Sequence, residues 1–432
     1  MTSKDLQLVA LATVAFAGVA TTACAQSAPA AGAGADPATA SGLLNLPGLQ
    51  GLPGLQDIPG ILTPHASIGV SVQEQYDNNV ARTDAATALL RGLVRDDYIT
   101  SPHVLIDVAS KLAGANVFVQ GAAGYDYHAN NKQLNRQNTD LKGGADLQFG
   151  RCTAALIGDY AAHQTDQRDL YSGVQRSQGT TKSVEVDVGC ARPSGLSPKI
   201  SVSQSWTTNS AALQSIADTN VTSVTPTLSY ARPALGVVSL FGRYDDIVYP
   251  NRVDLNGKTA GFDGLAAGVD LAKQVTPKLS ANVNVSYVQL TPRQTAQTRF
   301  SGVNYDASFG YTPTSRISLN LDIGRSVKPS VRIDSNFTVS DFMSLSGQLK
   351  LGYRTTVELG VDQRRESFAA NNLVIFTTLS SDTLSEVYAA VNFRVNRHVL
   401  LTLDAREQKR DANPATFAYT DWRAGLTAAV TY

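Results

Sequence analysis

Side chains that commonly carry catalysis or bind metals are sparse in this sequence. The chain has 432 residues but only five histidines and three cysteines. The histidines show no metal-binding spacing, and no zinc cysteine set, phosphate-binding glycine loop or G-x-S-x-G motif accompanies them. They are His65, His103, His128, His163 and His398. The sequence therefore predicts no metal site and no cofactor.

A hydrolytic site would have to be built from separated residues. His128 near Asp126, or His163 near Ser172, would supply part of the serine, histidine and acid set of a barrel-embedded lipid hydrolase. Such enzymes tend to be smaller than the barrel predicted below, and their interiors are narrow. We therefore interpret the chain as a protein that is not an enzyme.

Charged residues near the C-terminus suggest a different chemistry, the guidance of a hydrophilic solute. They fall on the polar face of consecutive predicted β-strands, where they would line an aqueous lumen. A simpler interpretation is that they form salt bridges that only support the wall. The lumen-lining candidates are Lys350, Glu358, Asp362, Arg364, Arg394, Asp404 and Arg406.

Two of the cysteines suggest a covalent link. Cys152 begins one predicted strand and Cys190 ends the next, on the same face by parity. Both would lie at the periplasmic rim of the predicted barrel. Because the periplasm is oxidising, a cross-strand disulfide is predicted. The alternative is two small apolar side chains that face lipid.

The elements that position these residues are strands. From Trp422 to Tyr432 every second residue is apolar, and the residues between are small or polar. This period of two predicts a two-faced strand, with aromatic residues near both ends of its apolar face. A terminal aromatic residue on such a strand resembles the sorting signal that the barrel-insertion machinery reads.

About eighteen such strands are predicted between Ala66 and Tyr432. Long polar gaps, such as 77–97, 164–181, 249–259 and 367–383, alternate with tight turns such as Gly150-Arg151. This alternation is typical of outer-membrane barrels. We therefore predict an all-β fold, a transmembrane antiparallel up-and-down β-barrel, with both termini on the periplasmic side.

The polar face of these strands carries many charges, which a dry core would not tolerate. A barrel of this size leaves a water-filled lumen, and we expect its charges to balance. Aromatic residues at strand ends are interpreted as girdle anchors, Tyr249 among them, whereas an inward residue such as Tyr388 would offer a platform for sugar stacking.

The residues before the barrel form two segments. Residues 1–25 read as a secretory signal, with an apolar core from Leu6 to Ala20 and an Ala23-Cys24-Ala25 cleavage site. Acylation of Cys24 as a lipoprotein is the competing interpretation. Residues 26–65 form a low-complexity periplasmic segment with Leu-Pro-Gly repeats, predicted to be disordered. It is either a linker, a docking tag or a segment inside the barrel.

Composition excludes two classes. After the leader no run of 18 or more apolar residues occurs, which argues against a helical membrane protein. Lys+Arg and Asp+Glu both number 36, so net charge gives no indication of nucleic-acid binding.

Short motifs add a resemblance. Tyr76-Asp-Asn-Asn-Val-Ala-Arg82, Asp96-Asp-Tyr-Ile-Thr-Ser-Pro102 and Ala123-Gly-Tyr-Asp-Tyr-His128 resemble the family described as putative β-barrel porin 2, over roughly residues 66–432. The resemblance implies an outer-membrane barrel that accompanies exopolysaccharide synthesis and export. No catalytic residues of the family can be transferred.

The leading hypothesis is therefore a channel or accessory protein for exopolysaccharide export in the outer membrane of a Gram-negative bacterium. The expected partners are outer-membrane lipid, the barrel-insertion machinery, periplasmic polysaccharide-export proteins and the polysaccharide itself. The alternatives are a general diffusion porin for small hydrophilic solutes and a structural or adhesive barrel.

Overall fold

A computed structural model describes residues 65–112, 114–166, 176–253, 257–294, 298–330, 332, 335–370 and 379–432. The predicted signal segment and, apart from His65, the predicted low-complexity segment lie outside the described residues. Within them, no helix is long and apolar enough to span a membrane.

Eighteen antiparallel strands form a single sheet in which each strand pairs with its neighbours in the sequence. They are β1 (His65–Asp77), β2 (Asp97–Leu112), β3 (Ala115–His128), β4 (Arg136–Phe149), β5 (Cys152–Gln164), β6 (Gln178–Cys190), β7 (Gly195–Asn209), β8 (Thr219–Arg232), β9 (Gly236–Val253), β10 (Thr259–Thr276), β11 (Leu279–Pro292), β12 (Phe300–Thr314), β13 (Ile317–Pro329), β14 (Ser335–Leu351), β15 (Thr355–Ala370), β16 (Ser381–Arg394), β17 (Val399–Asn413) and β18 (Tyr419–Thr431).

The first and last strands close the sheet into a ring. β1 pairs with β18 from Gly69 opposite Thr431 to Asp77 opposite Arg423. On the outer surface of this seam, the Tyr76 ring lies 5.0 Å from Trp422 and 5.0 Å from Tyr98, measured between ring centroids. Closure leaves no unpaired sheet edge, as a membrane-spanning sheet requires. The predicted β-barrel is confirmed.

The two faces of the wall differ because side chains alternate along each strand. The outward face is a belt of exposed aliphatic side chains; Leu265 and Leu403, for example, are each 59% exposed. A continuous apolar surface of this kind is stable against lipid and not against water. The inward face is largely polar, and its registers are described below.

Connections alternate between short and long. The short connections, such as Gly150-Arg151, define the turn end of the barrel, and the long ones define its mouth. The predicted 249–259 loop is partly wrong, because β9 continues to Val253 and β10 begins at Thr259. Pairing of those two residues across a bulge extends the hairpin beyond the membrane belt.

The β1–β2 connection at the mouth contains the single described α-helix, α1 (Ala85–Leu90). The Asp84 carboxylate caps it by accepting hydrogen bonds from the backbone N–H groups of Ala86 and Thr87. The helix buries Ala88 in a small apolar cluster of the mouth connections. Three short 3₁₀ helices, Lys132–Leu134, Gln214–Ala217 and Ala415–Phe417, also lie in mouth connections.

Exposed aromatic residues flank the outward belt at both ends. The mouth-end group comprises Tyr98, Tyr125, Tyr127, Trp206, Tyr244, Tyr287, Tyr305 and Trp422. Their positions fit the girdles that anchor barrels at membrane interfaces.

Candidate functional site

The seven lumen candidates share one face of the wall. The register of β15–β18 sets Asp362 opposite Glu386, and Arg406 opposite both Tyr388 and Arg423. Since neighbours in register point to the same side, the whole series follows the inward face. The inward candidates are Lys350, Glu358, Asp362, Arg364, Arg394, Asp404 and Arg406.

Only part of this series comes together. Glu386, which the sequence did not single out, lies 3.6 Å from Arg406 and 3.6 Å from Arg423. Glu358 is buried and accepts a hydrogen bond from the Gln348 amide at 3.3 Å. Lys350 and Arg394 lie apart from these groups, near the turn end.

The lumen charges do not balance, contrary to our expectation. Between the turn end and the mouth, carboxylates outnumber cationic side chains on the inward face of the described strands. The carboxylates are Asp77, Asp97, Asp107, Asp126, Asp140, Asp146, Asp159, Glu185, Asp187, Asp245, Asp270, Asp306, Asp322, Glu358, Asp362, Glu366, Asp382, Glu386, Asp404 and Asp421. The cations are Lys111, Arg136, Lys142, Lys199, Arg243, Lys328, Lys350, Arg364, Arg394, Arg406, Arg410 and Arg423.

Part of the imbalance lies on the wall formed by β10–β13. Asp270, Asp306 and Asp322 lie on the lumen faces of β10, β12 and β13, whose register joins Asp270 to Asn284 and Asn284 to Asp306. Within the described parts of β10, β11 and β12, no lysine or arginine lies on that face. Asp306 is exposed although it points inward, so the middle of the lumen is open to water.

The histidines form structural contacts rather than the hydrolase sets considered above. His128 Nδ1 lies 3.0 Å from an oxygen of Asp97, not Asp126. Asp126 instead accepts hydrogen bonds from Ser101 and Asn138. His163 Nε2 lies 2.8 Å from Asp140. The His128 and Asp126 pairing that a hydrolase would have needed is therefore not formed.

Ser172, the other residue considered for a hydrolase set, lies outside the described residues. Within the described part of the chain, no group of three or more histidine, cysteine or acidic side chains could hold a metal ion.

The mouth is narrowed first by the β1–β2 connection. Arg82 Nη2 lies 2.8 Å from Asp77, and its Nη1 lies 2.8 Å from Asp421 of β18. Burial alone would lower the pKa of the Arg82 guanidinium, but Asp77 and Asp421 outweigh burial and raise it. The guanidinium therefore links the connection to the barrel seam from the inside.

A second narrowing comes from β9 and the β13–β14 connection. Tyr249, predicted as a girdle anchor, is fully buried, and its hydroxyl donates to the backbone oxygen of Asn336. Its pairing with Ala260 continues the inward face of β9, which explains why it faces away from lipid. Arg252 donates to the backbone oxygens of Ser335 and Arg332.

Arg332 carries this connection across the mouth. Its backbone oxygen accepts from Arg252 of β9, while its guanidinium carbon lies 5.4 Å from the centroid of the Phe417 ring, between β17 and β18. β9 and β17 are almost opposite each other in the ring. Both arginines are 3% exposed. Through these contacts the β13–β14 connection, with Arg332, folds inward and links the β9 side of the mouth to the β17–β18 connection.

The cysteine pair lies on the other surface. Cys152 of β5 is opposite Cys190 of β6, and a disulfide joins them. Both point outward at the turn end, on the face that also carries Leu156 and Val186.

The mouth residues Arg82, Arg252, Arg332 and Asp421 were not recognised as functional candidates from the sequence. The alternation of side chains along the last strand did place Asp421 on the polar face. Arg82 and Arg332 fall in connections, and Arg252 falls in the part of β9 that the sequence predicted as a loop, so no periodic pattern indicated the direction of these side chains.

Comparison with solved structures gives weak overall likenesses to outer-membrane porins. OpdK from Pseudomonas aeruginosa shares 10% sequence identity, covers 85% of this chain and 99% of its own, and superposes with a TM-score of 0.45. OccK2 (OpdF) from Pseudomonas aeruginosa shares 8% sequence identity, covers 85% of this chain and 97% of its own, and superposes with a TM-score of 0.47. A BenF-like porin from Pseudomonas fluorescens Pf-5 shares 8% sequence identity, covers 85% of this chain and 99% of its own, and superposes with a TM-score of 0.46.

No curated protein matches the chain significantly. The family described as "Putative beta-barrel porin 2", by contrast, matches residues 65–432. That range contains all eighteen strands and the polar lumen. The chain belongs to this family and is a porin-like channel of the outer membrane.

Proposed function

We propose that the protein is a passive channel for small hydrophilic solutes and favours cationic and neutral solutes over anionic ones. The observation that carries this proposal is the crossing of the mouth by Arg332 above a lumen that is wet and polar. A polar lumen supports passage of hydrophilic solutes, whereas a crossed mouth limits their size.

The charge preference rests on the carboxylate excess of the lumen face. Asp270, Asp306 and Asp322 present negative charge along one wall without a lysine or arginine on the lumen faces of β10, β11 and β12 as described. A charged wall in a narrow, low-dielectric surround concentrates counter-ions and repels ions of like charge.

Exopolysaccharide export, the leading hypothesis from the sequence, is less well supported by this geometry. A polymer needs an unobstructed path at the mouth, where Arg332 now lies. The neutral lumen that we expected to suit a polymer is also not found. The predicted contacts with the insertion machinery and with periplasmic export proteins stay predictions.

Liposome swelling tests the proposal. Liposomes that contain the protein should swell quickly in a pentose, slowly in a trisaccharide and not at all in dextran. Arg252→Ala should release the β13–β14 connection and speed entry of the trisaccharide, because Arg252 holds Ser335 and Arg332. Arg316→Ala, an exposed arginine in the β12–β13 turn, is the matched control and should change nothing.

The proposal fails if dextran enters as fast as the pentose, since that requires a wide conduit. It also fails if deletion of the gene abolishes surface polysaccharide while pentose uptake is unchanged.

A further inference from the structure

The aromatic girdle at the mouth end has one gap. Outward Tyr and Trp side chains recur on β1, β2, β3, β5, β7, β9, β11, β12 and β18, so elsewhere in the ring a strand without one lies between two strands that have one. Strands β13–β17 break this pattern. Their described residues contain a single Tyr or Trp, Tyr388, and the register opposite Arg406 places it in the lumen.

Charged side chains occupy the outward face in this gap. Arg325 of β13 is opposite Tyr305 of β12, Asp341 of β14 is opposite Arg325, and Arg365 of β15 is opposite Asp341. Beyond β15 the row continues through Thr383 of β16 to Asp411 of β17, which lies 3.1 Å from Lys409 on the same face. We call Arg325, Asp341 and Arg365 the charged sector.

The charged sector begins where the aliphatic belt ends. On the same face, two positions from Arg325 toward the turn end, β13 carries Ile323. The corresponding position of β14, two residues from Asp341, is Met343. The belt holds lipid acyl chains, so the charged sector lies at the depth of the lipid headgroups. Its side chains therefore meet headgroup chemistry and not bulk water.

The cations of the sector are available to an external anion. Arg325 and Asp341 are 40% and 42% exposed at their side chains and lie 3.6 Å apart, which is too far for a good hydrogen bond. Arg365 is exposed, and no hydrogen bond or ion pair of its side chain is found in the described residues. Guanidinium groups bind phosphate through paired N–H donors.

We propose that the charged sector binds the phosphate of a lipid headgroup in the membrane leaflet at the mouth end. Arg325 and Arg365 flank Asp341 on adjacent strands and would hold the phosphate. The acyl chains of the same lipid would lie on the aliphatic belt below, which distinguishes a lipid from free phosphate. This site is on the outer wall and is independent of transport through the lumen.

Native mass spectrometry of the full chain in detergent tests the site. The probes are a diphosphorylated disaccharide lipid, the same lipid without phosphates, and inorganic phosphate. We expect the phosphorylated lipid to bind and the other two to bind weakly. Arg325→Ala and Arg365→Ala should each weaken binding about fivefold, the effect of one basic residue at an anionic membrane surface.

Matched variants separate the site from general effects. Arg325→Lys keeps the charge and should retain most of the binding. Lys182→Ala removes an outward lysine that lies between Tyr160 and Trp206 in the intact girdle, and it should change binding little. Gel mobility before and after heating shows that each variant is folded, and pentose swelling should be unchanged in all of them.

Equal binding of the lipid with and without phosphates would overturn the proposal, and so would tight binding of inorganic phosphate alone. A concentration-dependent dimer that Arg325→Ala and Arg365→Ala abolish would assign the sector to a second copy of the chain, which also overturns it.

Discussion

At the residue scale, Arg82 shows how the mouth is held. It is a non-glycine residue with a left-handed backbone, φ 50°, and its guanidinium is buried between Asp77 and Asp421. The ion pairs of the guanidinium with both carboxylates hold the side chain in place. They explain how the backbone is kept in a conformation that L-residues rarely adopt.

Arg82→Gln should destabilise the protein by about 3–5 kcal/mol, because it leaves buried Asp77 without its cation and removes one of the two cations beside buried Asp421. Thermal unfolding in detergent measures the change. Arg95→Gln, an exposed arginine of the same connection, is the control and should have little effect. Equal stability of the two variants would show that the Arg82 ion pairs are not important for the fold.

Residue patterns predicted the lumen wall better than the mouth. Asp362 and Arg406 were assigned to the polar face because each alternates with apolar neighbours in its strand. Tyr249 was assigned to the girdle because it is aromatic and near a strand end. Its contact is with Asn336, far away in sequence, and no local pattern encodes such a contact.

At the scale of the element, the hairpin of β5 and β6 is closed at both ends. Its long connection lies at the mouth, and the Cys152–Cys190 disulfide closes it at the turn end, 38 residues apart in sequence. A cross-link of this span reduces the freedom of the unfolded chain.

Cys152→Ser should therefore lower the free energy of unfolding by about 3–4 kcal/mol. A reductant should produce the same loss in the native protein and no further loss in the variant. Ala154→Ser, a similar polar change on the same outward face, controls for the effect of a hydroxyl against lipid. If reductant leaves the unfolding temperature of the native protein unchanged, the disulfide does not stabilise the hairpin.

Strands were predictable as elements because many of them repeat the same two-residue alternation over most of their length, as β11 does over the nine residues from Leu279 to Tyr287. Connections were predictable only in length. Whether the β13–β14 connection folds inward depends on Arg252 of β9 and on Phe417 of the β17–β18 connection, both distant in sequence. Long-range contacts of this kind arise only when the ring has closed.

At the scale of the whole molecule, three layers act together. An aliphatic belt faces lipid, a polar wall with excess carboxylates faces water, and inward connections narrow one end. Barrel size alone would suggest an open pore. The inward mouth and the acidic wall give the pore both a size limit and a charge preference.

The most direct test is the reversal potential of the reconstituted channel in a planar bilayer that separates two KCl concentrations. We predict a potential of the sign that K⁺ selectivity produces, reduced toward zero by the combined change Asp270→Asn, Asp306→Asn and Asp322→Asn, and unchanged by Asp341→Asn on the outward face. Chloride selectivity, or a membrane that conducts no ions with the folded protein inserted, would contradict the account.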